Sequence, residues 1–160
     1  MSHEKYNLAL RELKNDEAVK RMQEFKQHGS SNTYLHSVHV AETAKKLADR
    51  FHVDVHERDL ARGAMLHDFF LYNFHEQHEA TGLKAWHHLH NHPSISLVNA
   101  DRLFHLTEIE KDIIHSHMWP LNIRRVPKYK ESVLVNLADK YCSFMEFVQH
   151  YTNLPIYETK

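Results

Sequence analysis

The chain holds a single cysteine, Cys142, and only three glycines, Gly29, Gly63 and Gly82, in 160 residues. One thiol excludes an internal disulfide framework and any four-cysteine zinc site. Three scattered glycines exclude both phosphate-cradling loops, G-x-x-x-x-G-K-S/T and G-x-G-x-x-G, so a nucleotide would have to be held by other means. No run reaches the ~18 to 20 apolar residues that span a bilayer. Met1 to Lys14 mixes acids, bases and amides where a secretion signal would carry an apolar core. A cytoplasmic chain with no membrane partner is expected. Neither charge sign is in excess, with 20 Lys and Arg against 21 Asp and Glu. No stable nucleic-acid complex is therefore expected.

What the chain does have is histidine, 17 of them. Neutral imidazole is the commonest protein metal ligand, so this composition raises the prior for a metal site. With 42% apolar and 26% charged residues, residues 1–160 read as one domain able to bury its own core.

Apolar spacing predicts an all-α, single-domain bundle of about six to seven helices. Leu10, Leu13, Val19, Met22 and Phe25 place a first helix over Tyr6 to Phe25, broken by His28 to Asn32. Leu35, Val38, Ala41, Ala44, Ala48 and Phe51 mark a second, capped by Asn32 or Thr33. Asp54 and Glu57 are spaced as a capping box for a third, which carries Leu60 to Met65 and ends near His67-Asp68. Tyr72 to Asn91 reads as a long loop with a short helix at Ala80 to His87. Pro93 suits the first turn of the next helix, through Ile95, Val98, Ala100 and Leu103, and Thr107 with Glu110 caps another. The last runs from about Tyr129 to Tyr151, with Val133, Leu137, Tyr141, Phe144 and Val148 on one side.

On this map the residues able to hold a divalent ion sit near helix ends or on inward faces. His36 opens the second helix, His67-Asp68 closes the third, His92 precedes Pro93, His117 closes the Thr107 helix, and Asp139 lies in the last. Helices of a bundle can converge such ligands on one point. A carboxylate has two oxygens, so Asp68 could bridge two ions while His67 binds one.

These residues resemble the HD-domain superfamily of metal-dependent phosphohydrolases, whose pattern H…HD…D carries extra histidines in dinuclear members. The match is His36, His67-Asp68 and Asp139, with His92 and His117 as the additional two. The blocks LHSVHVAETAKKLA, GAMLHD, HPSISLVNA, HMWPL and LADKY surround them in the right order. The resemblance implies an HD-domain fold with its metal-site core at 34–146. It implies two divalent transition-metal ions (Fe, Mn, Zn, Co or Ni). One would be held by His36, His67, Asp68 and Asp139, the other by Asp68, His92 and His117. A metal-bound hydroxide would hydrolyse a nucleotide or other small phosphate ester, with Asp68 central and Lys140 as a phosphate or supporting contact. Two ions against two carboxylates attract an anion without any basic surface. Rival readings are a mixed-valent di-iron oxygenase and a non-catalytic metal- or nucleotide-binding module.

Most of the 17 histidines must be ordinary surface or core residues. His88 is the substitute for His92, whereas His39 and His115 read as supporting or exposed. His75 and His78 are three apart, one residue short of H-E-x-x-H geometry, and are set aside. Asp54 between His52 and His56 reads as a cap, so that pair is not expected to share a face. Phe69, Phe70, Tyr72 and Phe74 could stack on a base or simply pack in the core. Trp119 could line the pocket or pack under its loop. Arg124, Arg125, Lys128 and Lys130 could grip phosphates or form an exposed basic loop. Gly63 most simply lets its helix approach a neighbour closely. The Gly-Tyr-Pro signature of cyclic dinucleotide phosphodiesterases is absent after His67-Asp68, where Phe69-Phe70-Leu71 stands. The first helix could support a homodimer.

Overall fold

The computed structural model describes residues 3–26, 31–71 and 85–152, except the side chains of 85–89. Among the described residues every regular element is helical, which makes the fold all-α. The helices are α1 (Glu4–Asn15), α2 (Glu17–Lys20) followed by a 3-10 turn (Arg21–Glu24), α3 (Thr33–Arg50), α4 (Glu57–Leu66), α5 (Ala85–Phe104), α6 (Glu108–Ser116) and α7 (Lys130–Thr152). No described helix is long and apolar enough to cross a membrane.

α4 is the centre of the bundle. It packs on α1, α3, α6 and α7, and Leu60, Ala61, Ala64, Met65 and Leu66 are all buried. α3 lies along α7 and buries Ala41, Ala44 and Ala48, small side chains that let helix axes approach. Gly63 has the role its spacing suggested. A methyl group built there would stand 3.0 Å from both Cβ and Cγ2 of Ile113 on α6.

Several local expectations need correcting. The first helix does not run unbroken to Phe25. Asp16 leaves helical geometry and its carboxylate accepts from the N–H groups of Ala18 and Val19, starting α2. Asn32 does cap α3, through the Leu35 N–H at 2.9 Å. The Asp54 and Glu57 capping box does not form. His56 takes the cap position without a side-chain bond, and buried Glu131 of α7 accepts the His56 N–H at 2.8 Å instead. The Thr107 and Glu110 box is present in both directions.

Pro93 does not start a helix. It lies inside α5, which begins at Ala85, within the short helix expected at Ala80 to His87, and runs on through the residues expected to be loop. Proline removes one i→i−4 bond there, yet the helix continues through it to Phe104. Residues 72–84 lie outside the described residues, and with them Tyr72, Phe74, His75 and His78.

The side of α7 that apolar spacing marks faces outward. Val133, Leu137, Tyr141 and Phe144 are exposed, and the buried face carries Glu131, Ser132, Leu134, Val135, Asn136, Ala138, Asp139, Cys142 and Glu146. Leu35, Phe51, Ile95, Val98 and Leu103, which mark helices by spacing, are likewise exposed.

Gly63→Ala should lower stability by about 1–3 kcal/mol through overpacking against Ile113, despite the ~1 kcal/mol gain in helix propensity. Urea unfolding checks this, and an unchanged or raised midpoint would show that α6 yields freely.

Candidate metal centre

The six side chains expected to converge do so, in two groups of three. His36, His67 and Asp139 form one, and Asp68, His92 and His117 form the other. Within each group the candidate ligand atoms lie within 4.8 Å of one another. All six residues are buried, the most accessible being Asp139 at 7% and His92 at 5%.

Asp68 joins the groups. Its Oδ2 lies 3.5 Å from His67 Nε2 and 4.0 Å from His36 Nε2, while its Oδ1 lies 3.3 Å from His92 Nε2 and 3.5 Å from His117 Nε2. Asp139 Oδ1 faces His36 Nε2 at 3.1 Å and His67 Nε2 at 3.7 Å. The two oxygens of Asp68 thus address different histidine pairs, the arrangement a bridging carboxylate requires.

Local helix chemistry turns the ring nitrogens inward. His67 and His117 each stand at the C-cap of a helix, α4 and α6. The last carbonyls of a helix lack intrahelical donors. His67 Nδ1–H donates to Ala64 O and His117 Nδ1–H to Ile114 O, both at 2.7 Å. Holding the proton on Nδ1 leaves the Nε2 lone pair free to bind an ion. His36 is oriented differently, with Nδ1 3.1 Å from both carboxylate oxygens of Glu146.

Electrostatics favour a cation at this point. His67 Nε2 is buried without a hydrogen-bond partner, close to carboxylate oxygens of Asp68 and Asp139. Burial alone would lower His36 and His67, but Asp139 and Glu146 raise His36 well above its ordinary value and Asp68 with Asp139 raise His67. Burial would raise the two aspartates, yet the surrounding histidines hold both well below the usual carboxylate range. His117 is pushed down to about 3, first by burial and then by His92, whose Nε2 is 2.8 Å from its own. Carboxylates ionised beside inward lone pairs are the donor set that suits a divalent transition metal.

The sequence reading missed the residues that hold these side chains in place. Glu146 orients His36. Asn136 Nδ2 donates to the carbonyls of His117 and Trp119, each at 2.6 Å, fixing the chain beyond α6. Asn99 Nδ2 donates to Phe69 O at 3.3 Å and Phe70 O at 3.1 Å, fixing the chain after Asp68. A signal existed: Asn136 precedes Asp139 by three residues, Glu146 follows it by seven, and Asn99 follows His92 by seven. Those spacings put each on its ligand's helix face.

The remaining candidates sit outside both groups. Lys140 Nζ donates to His117 O at 3.1 Å and Asn136 O at 3.4 Å. His39 Nδ1 lies 3.8 Å from Glu146, and His115 is partly buried on α6. Arg125 donates to Ser94 Oγ at 2.8 Å, tying its loop to α5, while Arg124, Lys128 and Lys130 are exposed. Phe69 is fully buried against Phe104, and Phe70 packs edge-on to His92. The His88 side chain lies outside the described residues, whereas that of His92 is in the group.

A family model for the HD domain matches residues 33–143. The chain belongs to the HD-domain family. No curated protein and no solved structure matches it. The HD-domain segment contains all six converging residues and ends three short of Glu146.

Two outcomes follow for metal uptake. Glu146→Ala should weaken binding about 10- to 100-fold by releasing the His36 ring. Calorimetric titration of the metal-free chain checks this, and wild-type affinity would remove Glu146 from the site. Uptake must also displace the proton that Asp139 and Glu146 favour on His36. The stability that protonated His36 lends the metal-free chain is complete below its unfolded value of about 6.5 and is lost as pH rises through the raised folded value. Metal affinity should therefore climb with pH from neutrality through that range. A flat profile would contradict the His36 assignment.

Proposed function

We propose that this HD-domain chain is a metal-dependent phosphohydrolase acting on a nucleotide or other small phosphate ester. The observation that carries the reading is Asp68, buried with its two oxygens directed at separate histidine pairs. In this reading His36, His67 and Asp139 hold one divalent ion, His92 and His117 hold a second, and Asp68 is shared. Bound there, two such ions would acidify a water for attack on phosphorus and offset charge on the phosphoryl oxygens.

The chain's own residues supply orientation and charge. Ala64 O and Ile114 O fix the protonation side of His67 and His117. Lys140 brings positive charge beside the second group, where its ammonium rests on the His117 carbonyl. Glu146 brings a third buried carboxylate to the site. It lowers the site's formal charge by one relative to a count of Asp68 and Asp139 alone, which leaves less excess positive charge for an anionic substrate.

The test is phosphate release from a panel of nucleotides and phosphate esters, using tag-free protein reconstituted with each candidate metal. Metal-stimulated turnover is expected. Asp68→Ala should reduce it to background and lower the bound metal, while His105→Asn, at an exposed residue with φ of 48° that asparagine tolerates, should change neither. Equal effects from both substitutions would contradict the assignment. Iron-loaded, coloured protein that consumes oxygen and releases no phosphate would point to an oxygenase. Full metal loading with nucleotide binding but no turnover would point to a binding module.

A further inference from the structure

The solvent face of α7 is apolar over nearly its whole length. Val133, Leu137, Tyr141, Phe144, Phe147 and Tyr151 are each 45% to 70% exposed. Their steps of four, four, three, three and four residues average the 3.6 of an α-helix. They therefore form one stripe, about 27 Å long at 1.5 Å per residue. Burying an apolar stripe of that size is strongly favoured, and monomeric proteins seldom expose a comparable patch.

The stripe also carries no charge. Between residues 132 and 152 the ionised side chains are Asp139, Lys140 and Glu146. Asp139 and Glu146 are buried in the metal centre, and Lys140 reaches inward to the His117 carbonyl. Exposed Lys128 and Lys130 stand only at the N-terminal end of the stripe, Lys130 one turn before Val133. An amphipathic helix that lies on a membrane surface carries lysine and arginine along its length, and from residue 132 to 152 this face has none.

We infer that this face of α7 is a homodimer interface, in which two copies pack their α7 helices antiparallel about a two-fold axis. In a two-fold interface each residue near the axis meets its own copy, so a charge there repels itself, and a neutral stripe avoids that cost. The spacing is close to self-complementary about position 142. It sets Val133 opposite Tyr151, Leu137 opposite Phe147, and Tyr141 opposite Phe144. Aromatic side chains bury about 150–250 Å² each, and valine and leucine less. At the observed exposures the six present roughly 650 Å² per copy, so their complete burial would remove about 1,300 Å² for the pair, within the range of specific interfaces. Homodimer contacts are also the more apolar class of interface. The first helix suits this role less well, because Tyr6, Ala9, Leu10 and Leu13 are already buried.

Sedimentation analysis of the full chain, with neither metal nor substrate required, tests this independently of the hydrolase reading. The wild type should have twice the 19.1 kDa chain mass. Phe144→Lys and Phe144→Glu should each give the single-chain mass with an unchanged helical circular dichroism spectrum. An equimolar mixture of the two should recover the doubled mass, which misfolded variants would not do. A wild type at the single-chain mass, a Phe144→Lys variant that still dimerises, or a mixture that stays monomeric would each overturn the interface.

Discussion

The site rests on one buried carboxylate placed among imidazoles from four helices or helix ends. Asp68 is almost wholly removed from water, and an ionised carboxylate there is tolerable only beside compensating positive charge. His36, His67, His92 and His117 all bring Nε2 within 4.0 Å of it. The rest of the bundle can be understood as the apparatus that delivers those rings. α4 and α6 end where a histidine can satisfy a helix carbonyl, α3 brings His36 from one side, and α5 brings His92 from another.

Two means of orientation coexist in this small volume. Backbone carbonyls set the protonation side of His67 and His117, whereas a carboxylate, Glu146, sets that of His36. The group containing His36 is therefore the more negative of the two, and the two halves of the centre differ chemically despite similar ligand types. α7 connects this polar interior to the outside. Its inner face presents Asp139 and Glu146, and its outer face presents the aromatic stripe. The apolar residues that its periodicity advertises are thus on the opposite side from the metal centre.

The fold class and the six converging side chains were legible in the sequence because they rest on local signals. Apolar spacing marks helices, the Thr107 and Glu110 pair marks a cap, and the ordered HD blocks mark the converging residues. Features that depend on tertiary contact were not legible. Glu131 caps α4 from 75 residues away, so Asp54 and Glu57 gave a plausible but incorrect local answer. Pro93 looks like a helix start because its ring fits one, yet the helix extends before it. Periodicity could place Val133, Leu137, Tyr141 and Phe144 on one side of a helix but could not say which side meets the core. The inner face of α7 mixes Leu134, Val135, Ala138 and Cys142 with Asp139 and Glu146, which pair with His36, so a second apolar side is left outside. Glu146, Asn136 and Asn99 were visible only as helical-turn multiples from residues already chosen.

Anomalous X-ray diffraction from crystals of the metal-saturated chain measures the central claim directly, because it locates ions and ligands together. Two separate peaks are predicted, one among His36, His67 and Asp139 and one against His92 and His117, with Asp68 touching both. Saturated protein in which both positions scatter as water, or in which the ions sit elsewhere on the molecule, would contradict the account.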